Sequence, residues 1–200
     1  MDGFQRRREL KKKEILKTSL DLFMNFGVQK VSIAEIAEKA NVSQVTIYNY
    51  FDSKDNLVHE TIIYYIDEAW EEGQKVIDSD MHFPEKIKQL IFNKKQAAEN
   101  IHEDFYLYFM KEYANGISYI EDFYQKKSLP KLLELFNEGK ETGYVDPEIS
   151  NEAILFYIHM IREYMQKEEV YSKILPYTED ITKLLFYGIA GKITDNYDDE

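Results

Sequence analysis

Ser32-Ile33-Ala34-Glu35-Ile36-Ala37-Glu38-Lys39-Ala40-Asn41-Val42-Ser43-Gln44-Val45-Thr46-Ile47-Tyr48-Asn49-Tyr50-Phe51-Asp52-Ser53-Lys54 decides the fold of this chain. Ile33, Ile36, Ala37 and Ala40 recur at i, i+3, i+4 and i+7, which draws one apolar helical face. Ser32 followed three residues later by Glu35 is a capping box, so the helix starts there. Asn41 stands where the chain must turn, and Asn tolerates a left-handed backbone. Val42 plugs the angle, and Ser43 caps a second helix. In that second helix Ile47 and Phe51 face inward at i, i+4. The other face carries Gln44, Val45, Thr46, Tyr48, Asn49 and Tyr50, none of them charged. A surface helix without a task more often carries Glu and Lys. Gln and Asn pair with adenine in the major groove, and apolar groups touch thymine methyls. Thr and Tyr hydroxyls bond phosphates. The pattern predicts two helices joined by a tight turn, the second presenting a face to DNA.

Residues 8–58 resemble the TetR family of bacterial transcriptional regulators. The resemblance rests on Leu22-Phe23-Met24-Asn25-Phe26-Gly27 ending a long first helix, then Val31-Ser32-Ile33-Ala34-Glu35-Ile36-Ala37. Val42-Ser43, Thr46-Ile47-Tyr48-Asn49-Tyr50-Phe51 and Ser53-Lys54-Asp55-Asn56-Leu57 complete it. Two positions depart from the family pattern: Asn41 where Gly is common, and Val45 where Gly or a small residue is common. The resemblance implies an all-α chain. A three-helix helix-turn-helix domain would occupy residues 1–55, and a helical ligand-binding and dimerisation domain residues 56–194. Residues 195–200 form an acidic tail expected to be disordered.

The net charge of −12 is divided unevenly. Residues 1–60 carry ten Lys and Arg against nine Asp and Glu, a balance of +1, and the rest carries −13. Within the first part the cations concentrate in Arg6, Arg7, Arg8, Lys11, Lys12, Lys13 and Lys17, which supply phosphate attraction that the second helix lacks. There is no Cys, which excludes disulfides and thiolate metal sites. No segment reads as a membrane span or secretory signal, so no membrane role and a cytoplasmic location are expected. Catalysis has no support: G-x-S-x-G, a phosphate-binding Gly loop and H-E-x-x-H are all missing. The four histidines, His59, His82, His102 and His159, are scattered singly. No enzyme activity, no metal and no cofactor are expected.

Beyond Lys54 the pattern is helical throughout. Helices are expected near 55–78, 85–100, 103–115, 118–127, 129–142, 149–168 and 177–193, with a break at Ser79 to Pro84. The two domains then share the helix that begins near residue 55. Twenty-three of the 29 aromatic residues lie beyond residue 60. Ordinary packing explains most of them. The resemblance implies a small-molecule pocket in this region, with Tyr64, Trp70, Phe105, Phe109, Tyr113 and Tyr157 as candidate lining residues. A hydrophobic or a cationic effector suits such a lining. Ile154, Ile158, Ile161 and Met165, and Ile181, Leu184, Leu185 and Ile189, follow helical spacing, with Gly188 and Gly191 permitting close approach. The resemblance implies that the two C-terminal helices pair in a homodimer.

The expected function is a ligand-responsive regulator, a repressor that binds a palindromic double-stranded DNA operator. Its DNA-binding set is Ser32, Ser43, Gln44, Val45, Thr46, Tyr48, Asn49, Tyr50 and Lys54. The competing reading is a helical lipid, small-molecule or partner sensor that does not read DNA.

Overall fold

The computed structural model describes residues 3–115 and 118–190. Among them every regular element is helical: α1 (Gly3–Phe26), α2 (Ile33–Lys39), α3 (Gln44–Phe51), α4 (Lys54–Ile77), α5 (Phe83–Asn100), α6 (Glu103–Ala114), α7 (Ser118–Phe123), α8 (Leu129–Glu141), α9 (Asn151–Met165), α10 (Glu168–Ile174) and α11 (Thr178–Ala190). Gly191 and the acidic tail lie outside the described residues. The chain divides into two compact units, Met1–Ala69 with Asn100–Asn115, and Trp70–Glu99 with Gly116–Glu200.

In the first unit the capping box forms as the sequence dictates. Glu35 N–H donates to Ser32 Oγ at 3.2 Å, and Ser32 N–H donates back to Glu35 Oε2 at 2.7 Å. Asn41 takes a φ of 52°, and Val42 N–H donates to the Ala37 carbonyl at 2.9 Å, which closes the turn. Ser43 Oγ accepts from Thr46 N–H at 3.0 Å and caps α3. Ser53 Oγ then accepts from Asn56 N–H at 3.1 Å at the start of α4. Ile15, Phe23, Ile36, Ile47, Phe51, Leu57 and Ile62 form a core in which none is more than 1% exposed.

Helix α6 belongs to this unit. Phe105 is wholly buried in its core, stacked on Phe23 at 6.1 Å and edge-on to Tyr65 at 5.9 Å. His102 N–H donates to the Met24 carbonyl at 3.1 Å, and Gln29 N–H donates to Asp104 Oδ2 at 2.9 Å. Gly27 makes the approach feasible. Its φ is +80°, and a Cβ there would stand 2.9 Å from both His102 and Asp104.

The second unit has its own core of Ile77, Phe83, Ile87, Ile91, Leu135, Phe136, Val145, Ile154, Ile158 and Phe186. The helix expected over 118–127 is instead α7 followed by a π-helical turn, Tyr124–Ser128. Beside it Arg162 donates to Glu121 at 2.6 Å and lies 4.1 Å over the Tyr124 ring. That hydrogen bond, before any other influence, holds the Glu121 carboxyl below its ordinary pKa. The helix expected over 149–168 ends at Met165, and a separate α10 follows. Glu168 and Glu169 suit the positive end of that new helix, and Tyr171 anchors it by burial.

Phe105→Ala should cost about 3–5 kcal/mol, the usual loss for a buried Phe. Urea unfolding of the full chain measures it. A loss under ~1 kcal/mol would contradict a core position for α6.

Candidate nucleic-acid interface

Helix α3 divides by phase. Ile47 and Phe51 are at most 1% exposed, whereas Val45 is 67% and Tyr48 46% exposed. Gln44 and Asn49 are also exposed, and Thr46 and Tyr50 are half-buried. Val45 and Asn49 are four residues apart and so share the centre of the outward face. Ser43 and Thr46 hydroxyls lie 2.8 Å apart. Ser32 Oγ donates to Glu35 Oε2 at 2.7 Å while accepting from Glu35 N–H. Lys54 Nζ donates to the Val28 carbonyl at 2.8 Å, so the loop before α2 holds one of its three N–H groups.

The cations of α1 fall into two sets. Lys11 pairs with Glu14 at 2.7 Å, Lys12 with Glu60 at 3.1 Å and Lys13 with Glu68 at 3.3 Å. Among the described residues Arg6, Arg7 and Lys17 carry no ion pair. Arg8 lies 5.6 Å over the Tyr50 ring. Phe4, Arg7, Arg8, Asn49 and Tyr50 line one open cleft. Sequence reasoning missed Phe4 and the joining of this arginine edge to α3. The spacing of residues 4, 7 and 8 on one helical face was the available signal.

The six aromatic candidates are distributed over both units. Phe105, Tyr65, Phe109 and Tyr113 form a continuous ring series in the first unit, with 5.9 Å between Tyr65 and Phe109 and 6.3 Å between Phe109 and Tyr113. Tyr64 lies in the same unit with Lys13 Nζ 5.6 Å over its ring. Trp70 meets Phe123 edge-on at 5.6 Å in the second unit. Tyr157 packs at the edge of that unit's core. Among the described residues no three or more His, Asp or Glu side chains are placed to hold a metal ion, and no helix is long and apolar enough to cross a membrane.

A capped helix pair with one face packed and an uncharged polar face outward, next to unpaired cations, defines a helix-turn-helix DNA-binding regulator. Residues 15–61 match the model of bacterial regulatory proteins, tetR family, and this segment is a DNA-binding domain of that type. The matched segment is one of DNA-binding transcriptional regulators. The HTH-type transcriptional repressor KstR2 of Mycobacterium tuberculosis is 24% identical over 151 residues, 72% of this chain and 74% of the relative. The HTH-type transcriptional regulator LuxR of Vibrio harveyi is 30% identical over 80 residues, 40% of this chain and 39% of the relative. In fold the chain is similar to the fatty acid degradation regulator FadR of Bacillus halodurans. The TM-score is 0.59 at 20% identity, covering 88% of this chain and 94% of the other. FadR of Bacillus subtilis, solved in complex with stearoyl-CoA, gives a TM-score of 0.57 at 17% identity and covers 88% and 98%.

Glu35 is held below the ordinary glutamate pKa, first by the Ser32 backbone N–H and then by the Ser32 hydroxyl. A lowered folded-state pKa stabilises above the unfolded value and ceases to as pH falls through the folded one. An NMR carboxyl titration should therefore place Glu35 below 4.5, with α2 loosening only in acid. A midpoint at or above that value would contradict the capping geometry.

Proposed function

We propose that this chain is a homodimeric repressor that binds a palindromic, A·T-rich operator and releases it when a small hydrophobic effector binds. One observation carries the reading: α3 buries Ile47 and Phe51 and turns Gln44, Val45, Tyr48 and Asn49 outward without a single charge. Gln44, Val45 and Asn49 read base edges. Ser32, Thr46, Tyr48, Tyr50 and Lys54 hold phosphates, with Ser43 fixing the start of the reading helix. Lys54 reaches a phosphate with the N–H groups that Val28 leaves over. Arg7 and Arg8 supply the nearby positive charge. A helix with no Arg lacks the side chain that most often reads guanine, which favours A·T-rich sites. The cytoplasm, where the operator lies, is the proposed location.

Dimerisation uses α9 and α11. Phe156, Met160 and Tyr164 are 72%, 52% and 57% exposed and recur every four residues along α9. Leu184 on α11 is 67% exposed. Ile154 and Ile158, which spacing alone puts on a dimer face, instead fill the unit's own core. The exposed set is therefore the face that meets a second copy. Two reading helices about 34–36 Å apart then enter successive major grooves of a palindrome. Residues 1–55 read DNA and 56–194 bind effector and partner in this scheme. Helix α4 runs from Lys54 to Ile77 and carries the chain from one unit into the other. An effector that displaces α4 changes the spacing of the two heads.

Tyr48→Ala should weaken binding to every duplex alike, and selection from a random duplex pool should return A·T-rich half-sites. Fluorescence anisotropy measures the first and sequencing of the bound pool the second. Unchanged affinity, or G·C-rich half-sites, would contradict the assignment.

A further inference from the structure

Val28 and Gln29 share one peptide group, and two charged side chains hold it from opposite ends. Its N–H, that of Gln29, donates to Asp104 Oδ2 at 2.9 Å. Its oxygen, that of Val28, accepts from Lys54 Nζ at 2.8 Å. The positive end of the peptide dipole thus meets a carboxylate, and the negative end meets an ammonium. Hydrogen bonds joined in series through a peptide polarise one another, and those to ions are the strong ones. Asp104 therefore makes the Val28 oxygen a better acceptor and fixes the direction in which it is offered to Lys54.

Local structure does not require this arrangement. The peptide lies in the loop between α1 and α2, and Gln29 is exposed, so water could serve its N–H. Asp104 instead comes from 75 residues away on α6, and Lys54 from 26 residues away. Lys54 is also out of place for helix stability. It is the first residue of α4, where the positive end of the helix disfavours a cation. Asp104 is held firmly. Its N–H donates to His102 Nδ1 at 3.1 Å, and the His102 N–H donates to the Met24 carbonyl at 3.1 Å. The next residue, Phe105, is wholly buried. Gly27 leaves room for the carboxylate, since a Cβ there would stand 2.9 Å from Asp104 Oδ2. A lysine reaching a phosphate must order a long flexible stem. The Val28 oxygen orders it before DNA arrives and leaves two N–H groups over.

We propose that Asp104 is a positioning residue for DNA binding: its carboxylate acts through the Val28–Gln29 peptide to hold the Lys54 ammonium ready for a phosphate. The proposal rests on the phosphate-binding role of Lys54 given above and adds to it a residue of α6, outside the helix-turn-helix. It also reverses the sign expected from charge alone. Removing a carboxylate from a DNA-binding unit otherwise favours binding to a polyanion.

Fluorescence anisotropy over a series of salt concentrations tests it, with the duplex that the wild-type chain selects from a random pool. Lys54→Met should weaken binding ~tenfold and lower the salt slope by ~1, as loss of one phosphate contact does. Asp104→Asn keeps an acceptor oxygen but not the charge, and should weaken binding ~threefold. Added to Lys54→Met it should change affinity by under ~1.5-fold, because its effect passes through the lysine. Glu103→Gln removes the other acid of the same helical turn and should not weaken binding. Thermal melting checks that each variant folds, and Asp104→Ala replaces Asp104→Asn should the latter fail. The proposal is overturned if Asp104→Asn binds as tightly as the wild type or more tightly, or if Glu103→Gln weakens binding as much. It is equally overturned if Asp104→Asn weakens binding to the same degree with and without Lys54→Met. Unchanged affinity in Lys54→Met removes the lysine contact and this proposal with it, but leaves sequence selection by the wild type standing. A wild-type chain that selects no duplex removes the regulator reading as well.

Discussion

The burial of Ile47 and Phe51 is the constraint from which the outward polar face of α3 follows. A helix of eight residues has little stability of its own, so tertiary packing must hold α3. Once these two side chains are fixed in the core with Ile15, Phe23 and Ile36, the helix has no rotational freedom left. Val45 and Asn49 then point away from the protein by geometry alone. Ser43 fixes where the helix begins, and Asp52, with a φ of 60°, marks where it must stop. Moving any of these by one residue would turn the polar face by about 100°.

The same unit settles how charge is used. A basic run in sequence suggests a uniform phosphate-attracting edge. In the fold Lys11, Lys12 and Lys13 are bound to glutamates, two of them on α4. These partly exposed pairs contribute little stability. They do reduce the positive potential along that side of α1. What remains is an arginine edge at Arg7 and Arg8, next to Asn49 and Tyr50. Positive charge and the outward polar face therefore meet at one end of α3.

The helix-turn-helix was legible because its signals are local: a capping pair three residues apart, an Asn at the turn, and a period of 3.6. Element boundaries elsewhere were legible to within a few residues for the same reason, as at α5 and α8. Less was legible where the cause is tertiary. Nothing in the spacing of Phe105 distinguishes a pocket wall from a core plug, and its place beside Phe23 depends on Gly27 admitting α6. The apolar residues of α9 show helical spacing on more than one face, so the sequence could not separate Ile154 and Ile158 from Phe156 and Met160.

The central claim is that the outward face of α3 determines which DNA sequence is bound. Selection from a random duplex pool, run in parallel with the wild-type chain and with Asn49→Ala, tests it most directly. The account predicts that the variant keeps a palindromic site of the same half-site spacing but loses preference at one base pair per half-site, worth about 1–3 kcal/mol of discrimination. An identical consensus from both proteins would contradict it.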